Sequence, residues 1–210
     1  GGGGRTFLRY ASAEDSTVVR QEMWSGGADV GVRAGVSRKD FGDVTAGRHV
    51  GTQPNTAYEE DDGDVKLVWK LDERRRIVAA FQHVSLEDAP RTHRTIAAKS
   101  WRGTTVGADR ALEISNLRDL AYVQYRAEDL DGFFDRAQAS LSWQRIGERE
   151  SRIRGSGARD LREFDVDTLG LWSRLSSPTS IGRLTYGAEW YRDRIESDGF
   201  NAAAAGAVTS

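Results

Sequence analysis

Residues 64–84 read DVKLVWKLDERRRIVAAFQHV, two alternating apolar and polar runs on either side of a charged tetrapeptide. Val65, Leu67, Trp69 and Leu71 occupy every second position, with Asp64, Lys66 and Lys70 between them. That period of two belongs to an extended strand, not to a helix of 3.6 residues per turn. Asp72-Glu73-Arg74-Arg75 is a short charged turn, and Ile77, Ala79 and Phe81 resume the alternation opposite Gln82. The stretch therefore predicts a β-hairpin with one apolar face. At the end of that face Trp69 is a ring suited to a membrane-water boundary.

The same design recurs outward in both directions. On the N-terminal side it predicts an extended stretch at 5–11, a return strand at 17–25 of imperfect alternation, and a strand in which Val30, Val32, Ala34 and Val36 share a face. On the C-terminal side, Ala121, Val123 and Tyr125 alternate with Tyr122, Gln124 and Arg126. Ala137, Ala139, Leu141 and Trp143 then alternate with Gln138, Ser140, Ser142 and Gln144. Leu169, Leu171 and Leu175 follow, Pro178 is expected to break that strand, and Leu184, Tyr186, Ala188 and Trp190 form the last apolar face. The fold class expected is all-β, an antiparallel up-and-down meander of roughly nine long strands.

Connections are expected to alternate in length. Short turns fall near Gly26, Asp72, Asp129 and Pro178, and longer loops at 41–62, 89–115 and 151–163. Short turns at one rim and long loops at the other are a feature of outer-membrane barrels, as are strands of ~9 to 11 residues. Alternation alone is equally compatible with a soluble β-sandwich, whose apolar face meets a second sheet. A passive porin or adhesin barrel is a third reading.

Composition narrows the choice little. The 210 residues carry 30 Lys and Arg against 32 Asp and Glu, which gives no general basis for nucleic-acid binding. Cysteine is absent, so neither disulfides nor thiolate metal sites are available. No apolar run is long enough for a transmembrane helix, but barrel strands hide their apolar residues at alternate positions.

No catalytic constellation is recognisable, and no cofactor is expected. His49, His83 and His93 match no zinc spacing, and Gly155-Ser156-Gly157 lacks the strand-to-helix setting of a dinucleotide fingerprint. Glu59-Glu60-Asp61-Asp62 lacks calcium-loop spacing and reads as a solvated acidic loop. The candidate binding residues are Arg91, His93, Arg94, Lys99, Trp101 and Arg102 in one long loop. Cations beside an indole can hold an anionic, partly aromatic ligand, and His93 could ligate haem iron. The plain alternative is a charged surface loop.

Several runs, in order and spacing, resemble the barrel of TonB-dependent outer-membrane receptors. They include Asp40-Phe41-Gly42-Asp43, Gly51-Thr52-Gln53-Pro54, Lys66-Leu67-Val68-Trp69, Phe81-Gln82-His83-Val84 and Pro90-Arg91-Thr92-His93-Arg94-Thr95. Ser100-Trp101-Arg102-Gly103-Thr104-Thr105-Val106-Gly107, Arg118-Asp119-Leu120-Ala121-Tyr122, Phe164-Asp165-Val166-Asp167-Thr168 and Tyr186-Gly187-Ala188-Glu189-Trp190-Tyr191-Arg192-Asp193 continue the likeness.

The resemblance implies a barrel of about 22 strands in the bacterial outer membrane that imports a ferric siderophore, haem or cobalamin with energy passed through TonB. Its partners would be outer-membrane lipid, a plug domain, TonB and the ligand. The family's plug and TonB-contacting segment are not recognisable in these residues. Residues 1–199 would then be the first part of the barrel and 200–210 a truncated loop or tail. On this reading Val65, Leu67, Trp69, Ala137, Ala139, Leu141, Trp143, Leu184, Tyr186 and Trp190 face lipid.

Overall fold

The hairpin at 64–84 forms, but with longer arms than the alternation marks. It is the centre of a nine-stranded antiparallel sheet in the computed structural model, which describes residues 1–203. The strands are β1 (Gly2–Ala11), β2 (Ser16–Gly26), β3 (Val30–Phe41), β4 (Tyr58–Lys70), β5 (Arg75–Pro90), β6 (Ala111–Ala127), β7 (Arg136–Ile153), β8 (Arg159–Thr179) and β9 (Gly182–Ala202). Each pairs only with its neighbours in sequence, so the order in the sheet is the order in the chain. β1 and β9 are open edges.

Register turns the separate alternations into one continuous surface. Val32, Leu67, Ala79, Val123, Leu141, Leu171 and Trp190 are successive cross-strand partners from β3 to β9. The next row holds Ala34, Val65, Phe81, Ala121, Trp143 and Leu169. All ten residues expected on the apolar face lie on it.

Among the described residues nothing covers that face: there is no second sheet, so these strands do not make a β-sandwich by themselves. The accessible surface is 14135 Å² for 23.2 kDa, whereas a compact monomer of that mass exposes ~9,700 Å². Leu141 and Trp190 are each about half exposed.

The connections on one rim are 27–29, 71–74, 128–135 and 180–181; on the other they are 12–15, 42–57, 91–110 and 154–158. The expected asymmetry holds for the two central long loops. It fails at Asp129, where the turn expected to be short spans the eight residues 128–135, and at 151–163, where β7 runs to Ile153 and β8 starts at Arg159, leaving a five-residue turn at 154–158. Charge pairs carry the ladder there: Arg149 meets Glu163 at 3.4 Å and Arg154 meets Asp160 at 2.6 Å.

The acidic run is likewise strand, not loop. In β4 the side chains of Glu59 and Asp61 meet Arg38, while Glu60 and Asp62 meet Lys39 from the other face. Two adjacent cations of β3 thus each bridge two carboxylates of β4, one pair on either face. The loop expected at 89–115 shortens because β5 reaches Pro90 and β6 begins at Ala111. Pro178 does not break β8; it sits one residue from the strand's end, where at most a terminal ladder bond is lost. Residues 200–202 belong to β9, and the rest of the expected tail, from 204 on, lies outside the described residues.

Candidate ligand-facing rim

The connections 42–57 and 91–110 leave the same rim and are fastened to each other. The Lys99 ammonium donates to the carbonyls of Val50 at 3.0 Å and Thr52 at 2.9 Å. Thr92 is buried, and its hydroxyl donates to the carbonyls of Pro54, at 3.2 Å, and Asn55. Within the first loop, Asp43 accepts from the amides of Thr56 at 2.8 Å and Ala57 at 3.2 Å, closing its base. A third turn joins the group, since Arg110 donates to the Gly155 carbonyl at 3.1 Å and Arg152 pairs with Asp109 at 2.9 Å.

This fastening brings His49 onto Trp101. Their rings stack with centroids 5.1 Å apart and planes 17° from parallel. The Arg102 guanidinium lies 5.3 Å from the centre of the same indole. Such a stack, with a cation near an indole ring, is a surface on which a planar anionic group can settle.

Of the six expected binding residues, Trp101 and Arg102 stand in this cluster and Lys99 ties the loops beneath it. Arg91, His93 and Arg94 belong to a neighbouring 3-10 turn at Thr92–Arg94 and its cap. Among the described residues no hydrogen bond, ion pair or ring contact joins those three to the stack. His49 carries no signal in the sequence as a member of this cluster, because its partner is remote in the chain and only the folded loops bring them together.

The rim is electropositive. The two loops contain Arg48, Arg91, Arg94, Lys99, Arg102 and Arg110 against Asp43 and Asp109. Asp43 is spent on backbone amides and Asp109 on Arg152. Among the described residues no group of three or more His, Asp or Glu side chains is placed to hold a metal ion. Among the described residues no helix is long and apolar enough to cross a membrane, which says nothing of a β-barrel.

The polar face of the sheet is also organised. The buried Glu22 accepts from Arg5 and Arg20, each at 2.8 Å, and from Arg33, so one carboxylate joins β1, β2 and β3. Arg20 also reaches Asp64 on β4 at 2.5 Å, passing over Gly35, where a Cβ would collide with the guanidinium. No family model matches this chain, and no curated protein matches it significantly.

Proposed function

We propose that these strands are part of a transmembrane β-barrel whose apolar face meets outer-membrane lipid. The observation that carries this reading is the obliquity of the apolar band. On β9 the band runs from Leu184 to Trp190. Trp190's row reaches β2 at Ser25, but the last apolar outward residue there is Val19, six positions further. The lower edge climbs too: Met23, the lowest on β2, shares the row of Arg192, eight positions above Leu184. Averaged from β9 to β2 both edges rise by roughly one residue per strand, the rise being taken up at the two ends, because from β4 to β8 the upper edge keeps to the single row of Val65, Phe81, Ala121, Trp143 and Leu169. With ~3.3 Å per residue and ~4.8 Å between strands, that slope is a tilt of about 35°. A flat slab of lipid cutting tilted barrel strands leaves that trace, since barrel strands tilt ~35–45°.

Aromatic residues mark both edges of the band. Trp69, Tyr125 and Tyr186 line the side of the short turns, and Phe81, Trp143 and Trp190 the side of the long loops, as interfacial girdles do. Open sheet edges are not tolerated in hydrocarbon, so β1 and β9 require further strands to complete the barrel.

The finer reading is a receptor that takes up a scarce nutrient with energy from TonB. It is supported by the sequence resemblance and by the cationic, aromatic rim on the side of the long loops. A ferric siderophore, haem or a related anionic chelate would settle against Trp101, His49 and Arg102. The test is uptake by cells carrying the full-length protein with His49→Ala, Trp101→Ala and Arg102→Ala combined. Uptake of the cognate ligand should fall at least tenfold with unchanged heat-modifiable mobility of the folded barrel. Unchanged uptake across ferric chelates, haem and cobalamin would remove this rim from the site. A second reading, a sheet covered by another protein, is favoured by the modest height of the band.

A further inference from the structure

We infer that the outer face of this sheet fits a bilayer much thinner than the usual one, an inference that rests on the membrane reading above. The apolar band has the same depth on six strands, four successive outward positions each, all apolar except Ser173 on β8. They run from Val30 to Val36 on β3, Val65 to Leu71 at β4, Ala121 to Ala127 on β6, Ala137 to Trp143 on β7, Leu169 to Leu175 on β8 and Leu184 to Trp190 on β9. Six residue steps span ~20 Å along a strand, or ~16 Å of height at the tilt derived above. An outer-membrane barrel ordinarily presents ~25 Å of apolar wall.

The band does not fade at its upper edge but stops at charge. His83, Asp119, Arg145 and Asp167 are successive cross-strand partners, and each is the first outward residue above the band on its strand. They are engaged locally: His83 Nδ1 lies 2.7 Å from Asp119, Arg145 pairs with Asp165 at 3.0 Å, and the Trp143 indole donates to Asp167 at 3.1 Å. The Trp143 contact places a boundary residue with its ring in the band and its N–H on the first carboxylate above it. On β5 the band is closed from below as well, by Arg75. A bilayer of ordinary thickness would draw this charged row into hydrocarbon. Lipid thinning, or short-chain lipid, removes that conflict.

The experiment is equilibrium urea unfolding of the full-length protein in vesicles of didecanoyl, dilauroyl, dimyristoyl and dipalmitoleoyl phosphatidylcholine. The folding equilibrium should be most favourable in didecanoyl or dilauroyl lipid and fall at least tenfold by dipalmitoleoyl. A variant carrying His83→Leu, Asp119→Leu, Arg145→Leu and Asp167→Leu adds one apolar row and should move the optimum to a longer chain. An optimum in dimyristoyl or longer lipid for the unaltered protein overturns the inference while leaving a membrane barrel in place. So does an unchanged optimum in a variant that folds; where the variant does not fold, the unaltered protein's optimum decides alone. Failure to insert into any of the vesicles overturns both the inference and the membrane reading.

Discussion

Glu22 shows how much of this sheet is held by single polar residues. Its buried carboxylate satisfies guanidinium groups from three strands, so Glu22→Ala leaves three cations facing one another, of which Arg20 alone keeps a carboxylate, that of Asp64. Breaking such a pair is costly because the surviving charges stay desolvated, although partly exposed partners reduce the cost. We expect a loss of about 2 kcal/mol in urea unfolding of the full-length protein, and an effect below the error of the fit would remove Glu22 from the framework. At the short turn 71–74 the charge chemistry is pH-dependent. Asp72 lies below its usual 3.8, held there by Arg75's side chain and by the amides of Arg74 and Arg75. A carboxyl depressed on folding stabilises fully above its unfolded pKa, and the contribution disappears as pH falls through the lower folded value. Arg75→Leu should raise the Asp72 midpoint towards 3.8, read from its carboxyl carbon by NMR; an unmoved midpoint would contradict the assignment. None of these contacts was legible in the sequence. Arg20 and Asp64 are 44 positions apart, and their meeting depends on register and on the missing side chain at Gly35.

Strand by strand, alternation located the centres well and the ends poorly. The apolar faces of β3 to β9 stand where Val30, Trp69, Phe81, Val123, Leu141, Leu171 and Trp190 place them. Beyond the apolar band the strands continue as charged ladders, such as Arg38 with Asp61 and Arg145 with Asp165. A charged stretch of chain looks like a loop until its cross-strand partner is known, and for that reason 59–62 and 151–163 read as loops from sequence alone. The binding loop was legible as a basic, aromatic segment, whereas its pairing with His49 was not. The division of faces can be tested on β9. Ala188 lies on the apolar face and Glu189 on the polar one. If lipid covers the first, Ala188→Arg should cost ~2–4 kcal/mol, the penalty for arginine near the midplane. Glu189→Arg should cost less than about 1 kcal/mol, because it faces a watery lumen. Equal costs, measured in vesicles with the full-length protein, would contradict the separation.

At the scale of the molecule, a single-layer sheet with one uncovered apolar face needs an apolar solvent or a covering partner. The surface excess over a compact monomer shows that one face is uncovered, and the oblique band with its aromatic borders is the ground on which we propose lipid for it. The meander order was legible because turn signals separate successive alternating segments. The solvent of the apolar face was not legible, since lipid and a second sheet impose the same period of two. Obliquity appears only when register links the strands. The most direct test of lipid contact places a nitroxide on cysteine at Leu141 and, separately, at Ser142 in the full-length protein reconstituted in dilauroyl phosphatidylcholine. At Leu141 the account predicts strong relaxation by oxygen and little by a water-soluble nickel chelate, with the reverse order at Ser142. A label at Leu141 shielded from both agents, as under a layer of protein, would contradict it.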